Sequence, residues 1–421
     1  MEILGRTREV VQPKIERIDR TINLALLSLG PTISTGLAPT TLAERTPTSG
    51  TLRTARWRGP QLEAAASRVI RFEVERAAGG MAYHAFLHMR TDMASGGWSE
   101  PVFADDSLVG LTVSQDGDES RAIPVEILQA FLDRDADTER ADGFTTLGVN
   151  WQLNKETAVS RLLGQTRQGQ GILVRQVPWG STACGVLKPR DILLELAGRP
   201  IDSEGYYQHE WLGRLSFNHI LAEKFRPGEA IPARVLREGK ELEVSLTARA
   251  YPAALDLVPI DQHGAPAYII VGGLVVRELD LEYLRTWGKD WSKDAPDRLL
   301  SRYMYEQEGQ TRERRRAVLI TSVLPWAYNV GYHELRDVVI DRINGHPIGK
   351  IEDVTEALRA PQVGFHVIDL APESWPGQIV LDAATLESAT AEIMKAYDVP
   401  AAARPREEPL PEGGGDCPGD Y

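Results

Sequence analysis

His84 and His88, in the segment MAYHAFLHMR, are the first pair whose types could do acid–base or metal chemistry. That segment alternates apolar and polar residues as a strand does, and four residues of strand separate the two rings by about 13 Å. Rings that far apart share neither a metal nor a proton relay, so structural roles are expected for both. The chain has two cysteines, Cys184 and Cys417, and no CxxC, which excludes a zinc set and a disulfide framework. Cys184, within Ser181-Thr182-Ala183-Cys184-Gly185, reads as a packed small hydrophobe rather than a nucleophile. The one basic knot is Arg312-Glu313-Arg314-Arg315-Arg316. In a chain of net charge −13 it reads as a solvated loop, not a phosphate or RNA site. No cofactor, no metal and no nucleic acid is expected.

The elements that must position any site come next. A length of 421 residues predicts two to four domains, and 42% hydrophobic with 25% charged residues is an ordinary globular composition. No apolar run reaches the ~18–20 residues of a membrane-spanning helix. The N-terminal MEILGRTREVV lacks the basic-then-apolar layout of a signal peptide. The chain as written is therefore expected in the cytoplasm; a periplasmic or organellar setting requires a signal upstream of it.

Residues 1–125 read as β-rich, with strand patterns at Arg68 to Val74 and Tyr83 to Met89. Pro124 to Leu132 is helical in pattern, and DRDADTERADG after it is a linker. Residues 143–250 alternate strands with helices, one of them Trp211 to Phe225; a similar unit runs from Asp256 to Pro372. Ala383 to Tyr397 predicts an amphipathic helix, and the Pro/Gly/Glu-rich end predicts a disordered tail.

An internal repeat outweighs any single element. One copy is GILVRQVPWGSTACGVLKPRDILLELAGRPI, residues 171–201; the other is AVLITSVLPWAYNVGYHELRDVVIDRINGHPI, residues 317–348. Each runs through an apolar strand, a Pro-Trp turn, a short helix, a second strand and a Gly-x-Pro-Ile exit.

The repeat resembles the core of PDZ domains of the HtrA/Deg serine proteases, whose pattern is L-K-x-G-D-x-I-L-x-x-x-G-x-x-I. Here Leu187-Lys188-Pro189-Arg190-Asp191-Ile192-Leu193 leads on to Gly198 and Ile201, with Arg190 where the pattern has Gly. The second copy, Arg336-Asp337-Val338-Val339, carries one extra residue before Gly345. Leu147-Gly148-Val149-Asn150-Trp151-Gln152 resembles the opening of the first PDZ domain in plant-type Deg proteases. Gly272-Gly273-Leu274-Val275, Glu282-Tyr283-Leu284-Arg285 and Ala295-Pro296 resemble the elongated second PDZ region. The resemblance implies that Leu147, Gly148 and Val149 form a loop and sheet edge that receive a peptide's terminal carboxylate and strand. It also implies that Phe217 and Leu221 wall the side-chain pocket.

Two N-terminal stretches resemble the trypsin-like domain of the same family. Asp19-Arg20-Thr21-Ile22-Asn23-Leu24-Ala25-Leu26-Leu27 fits D-x-x-x-D-[LI]-A-[LV]-L, with Asn23 in the slot of the triad Asp. Thr91-Asp92 … Pro101-Val102-Phe103 resembles the nucleophile loop T-D-x(5)-G-N-S-G-G-P-V-F, shortened by two residues. Read back from Pro101, the nucleophile slot holds Trp98; Ser95 or Ser99 serves only if the loop has slipped. No His lies among the 22 residues before Asn23. Asn in place of the triad Asp alone costs about 10⁴ in turnover.

The expected fold is mainly β with α+β modules: a partial trypsin-like β-barrel domain followed by two PDZ-type domains. The boundaries are 1–133 for the degenerate protease domain, 143–250 for the first PDZ domain, 255–400 for the second with its C-terminal helix, and 401–421 for the tail. The function this implies is a proteolytically inactive scaffold that binds peptides or unfolded and C-terminal protein segments, and a homo-oligomer is compatible with it. The alternative is a serine endopeptidase of protein quality control whose part bearing the catalytic His lies outside this chain.

Overall fold

The computed structural model describes residues 3–4, 10–11, 13–19, 22–30, 38–58, 61–76, 83–133, 144–250, 256–259, 265–305, 314–372, 374–406 and 410. It contains two compact units, one of residues 1–177 and 181–251, the other of residues 178–180 and 252–421.

The first unit begins with a hairpin, Lys14–Asp19 against Leu24–Ser28. Six strands then form a barrel: β1 (Thr51–Arg58), β2 (Gln61–Arg76), β3 (Tyr83–Thr91), β4 (Pro101–Ala104), β5 (Ser107–Asp116) and β6 (Glu119–Pro124). Their order is β6-β3-β2-β1-β4-β5, and pairing of β5 with β6 closes the ring. Closure removes the free edges that an open sheet would expose. Leu52, Leu87, Met89, Val102, Val109 and Ala122 fill one cluster of the barrel core. Phe86, Ile123 and Ile22 of the hairpin join Ile127, Leu128 and Phe131 of helix α1 (Val125–Leu132) in a second. Burying one such Phe contributes about 2–3 kcal/mol.

The barrel shares its core with the first repeat module. Helix α2 (Thr157–Leu162) flanks a sheet of β7 (Asn150–Gln152), β8 (Ile172–Gln176), β9 (Ile192–Leu196), β13 (Ala230–Arg237) and β14 (Lys240–Thr247), in that order. A short β10 (Arg199–Pro200) pairs with β9, and β11 (Tyr206–His209) with β12 (Gly213–Ser216) makes a separate hairpin. Helix α3 (Asn218–Lys224) follows. Trp211 to Phe225 is thus not one helix. Pairing of His209 with Gly213 claims its first half, and Gly213 turns at φ 82°, so tertiary pairing overrides the helical pattern. Ala85 of β3 lies in the module's core and Ala222 of α3 in the barrel's. That shared burial makes one compact unit of the two domains predicted for residues 1–250.

The two copies of the repeat close their second strands alike. Leu196 pairs with Arg199 across Ala197-Gly198 at φ 52° and 74°; Ile343 pairs with His346 across Asn344-Gly345 at φ 52° and 80°. Positive φ at both central residues is the two-residue hairpin turn that matches strand twist. Arg190, standing where the pattern has Gly, takes φ 74°. Asp191 beside it is buried and takes Arg237 Nε at 2.7 Å and Lys188 N at 2.9 Å.

In the second unit the sheet runs Gln378–Asp382, Phe365–Leu370, Val338–Ile343, Val318–Val323, Leu274–Glu278, Tyr268–Val271, Ala403–Arg404. The C-terminal helix is Leu386–Ala396, inside the predicted span. The expected disorder from 401 onward does not hold for its first residues: Ala403 and Arg404 pair with Ile269 and Tyr268. Arg406 bonds Glu278 and reaches Glu352 at 3.3 Å. Residues 411–421 lie outside the described residues.

The basic knot is not a solvated loop where it is described. Arg316 is buried, donates to the Asp256 carbonyl at 2.9 Å and lies 3.6 Å from Glu278. Two guanidiniums, Arg316 and Arg406, therefore converge on one carboxylate and fasten the chain end. Arg312 and Glu313 lie outside the described residues. Cys184 is buried, and Cys417 lies outside the described residues.

Candidate functional site

Asn23 sits in the turn of the N-terminal hairpin, exposed, at φ 58°. Asn tolerates the left-handed region better than most residues, so this slot uses a side chain suited to the turn. Asp19, at the other end of the family pattern, is buried.

The loop before β4 is built on internal hydrogen bonds. Thr54, Ser67 and Thr91 form a buried hydroxyl ladder across three strands, 2.7 and 2.9 Å apart, and Thr91 Oγ1 accepts Met93 N at 3.2 Å. Gln115 Nε2 donates to the Met93 carbonyl at 2.7 Å. Gly97 turns at φ 102°, and a Cβ there would lie 2.6 Å from the backbone of Ser114 and Gln115, so only glycine fits. Trp98, in the nucleophile slot, is 88% exposed.

Glu100 gives the loop its character. Its Oε2 accepts Gly97 N and Trp98 N, each at 2.8 Å, and the Thr112 hydroxyl; Glu100 N donates to Thr112 Oγ1 at 2.9 Å. Burial pushes this carboxyl's pKa up, but the hydrogen bonds from Thr112, Trp98 and Gly97 outweigh it and hold the group below its ordinary value. Converging backbone N–H groups at a nucleophile loop are what stabilises an oxyanion. In this loop the chain's own carboxylate takes them. Ser95 is tied to Arg56 through its carbonyl and, at 3.4 Å, its hydroxyl. Ser99 turns at φ 66° and donates its N–H to Thr112 O at 2.8 Å. Among the described residues no histidine hydrogen-bonds either serine.

Leu147, Phe217 and Leu221 come together in the core of the first repeat module, with Val149 packed against them. Leu147, Phe217 and Leu221 are buried, so they present no open apolar wall; Phe217 also meets Trp151 edge-on at 5.3 Å. Phe217 is the residue before α3 rather than a helical position four from Leu221. Gly148 has φ 63°, and a Cβ there would lie 2.7 Å from Ser181 Cβ. Leu147 O accepts Ala183 N at 3.2 Å, while no backbone acceptor among the described residues takes Gly148 N or Val149 N. β7, directly after, is the outermost strand of its sheet.

In the second unit the Gly272-Gly273 turn is already engaged. Gly272 N donates to Thr390 Oγ1 of the C-terminal helix at 2.8 Å, and Asn329 Nδ2 donates to Gly272 O at 2.8 Å.

His84 and His88 part company, as their strand spacing requires. His88 places Nε2 2.6 Å from Glu75 and Nδ1 2.8 Å from Glu119, so both nitrogens face carboxylates. His84 is buried beside α3 and its Nδ1 donates to Ala85 O at 2.9 Å; desolvation pushes its pKa down to about 4. Sequence reasoning missed three partners. His219 Nδ1 accepts Ala85 N at 3.2 Å, and His209 Nε2 donates to Glu223 Oε1 at 3.0 Å. Desolvation pushes the pKa of His219 down to about 3, ahead of the opposing pull of Glu223. Their Nδ1 and Nε2 atoms lie close enough with Glu223 to suggest a metal set, as do Glu73, Glu75 and His88. The hydrogen bonds argue otherwise. His209 Nδ1 and His219 Nδ1 each accept a backbone N–H, which leaves each Nε2 protonated and without a lone pair for a metal.

A closed six-stranded barrel followed by α/β repeat modules defines a protein of the trypsin-like-plus-PDZ class, made mostly of strands. Residues 258–405 match the PDZ domain family. The putative mitochondrial protease Do-like 12 of Arabidopsis thaliana is 24% identical over 75% of this chain and 57% of its own length. The mitochondrial protease Do-like 4 of the same plant is 24% identical over 79% of this chain and 61% of its own. The chain thus spans about half to three-fifths of the length of the curated relatives it matches. A solved HtrA-type protease, AlgW with a decapeptide, is 17% identical at a TM-score of 0.42, covering 60% of this chain and 75% of that one. The chain is thus similar to the HtrA/Deg proteases over about three-quarters of its length.

Proposed function

We propose that this chain is a peptide- and protein-segment-binding scaffold of the HtrA/Deg family without peptidase activity. The observation that carries the reading is the Glu100 carboxylate on Trp98 N, a backbone donor an oxyanion would need, and on Gly97 N beside it. Asn23 in a left-handed turn and an exposed Trp98 in the nucleophile slot support it from two other positions. Binding is proposed at the first repeat module, read as a PDZ domain. Gly148 N and Val149 N would take a terminal carboxylate, and a peptide would add as a strand beside β7. The relatives are named as mitochondrial and chloroplastic proteins, and we propose an organellar setting for this chain on that ground.

A fluorophosphonate serine probe and a peptide library, both applied to the full chain, test the two halves. Peptide binding without probe labelling is expected. Probe labelling lost in Ser95→Ala or Ser99→Ala would overturn the inactive reading, and the family's endopeptidase activity would then be the better one.

A further inference from the structure

We propose that the joint between strand β3 of the barrel and helix α3 of the first repeat module is an acid-released latch, closed while His219 is neutral and accepts the Ala85 N–H. Five residues meet there. His84 and Ala85 come from β3, His219 and Glu223 from α3, and His209 comes from the β11–β12 hairpin, bonded to Glu223. Ala85 is thereby held from both sides, its carbonyl by His84 Nδ1 and its N–H by His219 Nδ1. His84, His209 and His219 are all buried, and the His209 and His219 rings lie 5.9 Å apart.

A proton on His219 Nδ1 turns the acceptor of Ala85 N–H into a second donor, and the two N–H groups then face each other. The new charge would sit in a buried space beside His84, His209 and Arg199, with Glu223 as its counter-charge. His84, for its part, faces Arg121 and Glu75 from the barrel. Desolvation decides the balance and keeps both rings neutral well below the ordinary histidine range. A histidine held neutral by the closed state stabilises that state fully above its ordinary pKa of about 6.5, and the contribution is lost as pH falls below it. Between pH 7.5 and 5.0 each of the two rings should raise the open-to-closed ratio about 30-fold. The proposal stands apart from peptide binding and from the missing triad, since neither enters it.

Hydrogen exchange of the full chain, corrected for intrinsic rate and read over Tyr83–Thr91, tests it at pH 7.5 and 5.0. Protection there should fall by one to three orders of magnitude at pH 5.0, with Val318–Val323 in the second unit unchanged. The double variant His84→Gln/His219→Gln should lose that pH dependence. Equal protection at both pH values, or the same fall in the double variant, would overturn the latch. Imidazole ¹⁵N shifts of the unsubstituted chain give a reading that needs no variant: His219 should hold its proton on Nε2 down to pH 5. A His219 that titrates near 6.5 while the joint stays protected would also overturn it.

Discussion

Glu100 Oε2 accepts Trp98 N at 2.8 Å, so the residue in the nucleophile slot hands its own backbone donor to a carboxylate two positions along. The same oxygen takes Gly97 N at 2.8 Å. A loop that satisfies itself in this way has little left for a developing oxyanion.

Glu100→Ala should therefore destabilise the barrel without creating activity. Three donors lose a charged acceptor, at a cost of about 1–3 kcal/mol. The hydrogen bonds hold the carboxyl ionised below its ordinary range, so this stabilisation is present above about pH 4.5 and fades as pH falls further. Urea titrations of the two proteins at pH 7 and pH 3.5 check both parts: the gap in midpoint should narrow at the lower pH.

Arg190→Gly should stabilise the first repeat module. Arg190 takes φ 74°, a region that costs an L-residue about 1–2 kcal/mol, and glycine gives part of that back in unfolded-chain entropy. A net gain of about 0.5–1 kcal/mol is expected in chemical denaturation; a loss would show that the Arg190 side chain contributes packing.

Most of the modular plan was legible in the sequence, because it lies in local punctuation. The repeat's Ala197-Gly198 and Asn344-Gly345 turns, helix α1 and the strand around His84 and His88 all follow from neighbouring residues. Glu100 was not legible, since it is an ordinary acidic residue until the loop folds back over it. Residues 211–216 carry a helical pattern, yet they belong to the hairpin at 206–216, whose pairing outweighs a 3.6-residue pattern. The His84–Ala85–His219 contact joins residues 134 positions apart, beyond the reach of any spacing argument.

The chain end should matter more than its composition suggests. Arg406→Ala removes one of the guanidiniums on Glu278 and the partner of Glu352. A loss of about 1–2 kcal/mol is expected in the unfolding of the second unit, smaller at high salt. Unchanged stability would show that the Ala403–Arg404 pairing suffices without it.

Peptide capture by the first repeat module should depend on a free terminal carboxylate. Charge-assisted hydrogen bonds to Gly148 N and Val149 N are worth about 1.5–3 kcal/mol, so amidating a binding peptide should weaken it about tenfold or more. Gly148→Val is a poor test, because a side chain at φ 63° and 2.7 Å from Ser181 Cβ disturbs folding as well. Equal binding of acid and amide would place the peptide elsewhere.

The most direct measurement is release of acid-soluble peptides from unfolded casein by the purified chain and its Ser95→Ala and Ser99→Ala variants. With Asn23 and Trp98 in the triad slots and Glu100 on the loop's donors, none of the three should release peptide above buffer. Release by the unsubstituted chain that disappears in either serine variant would contradict the account.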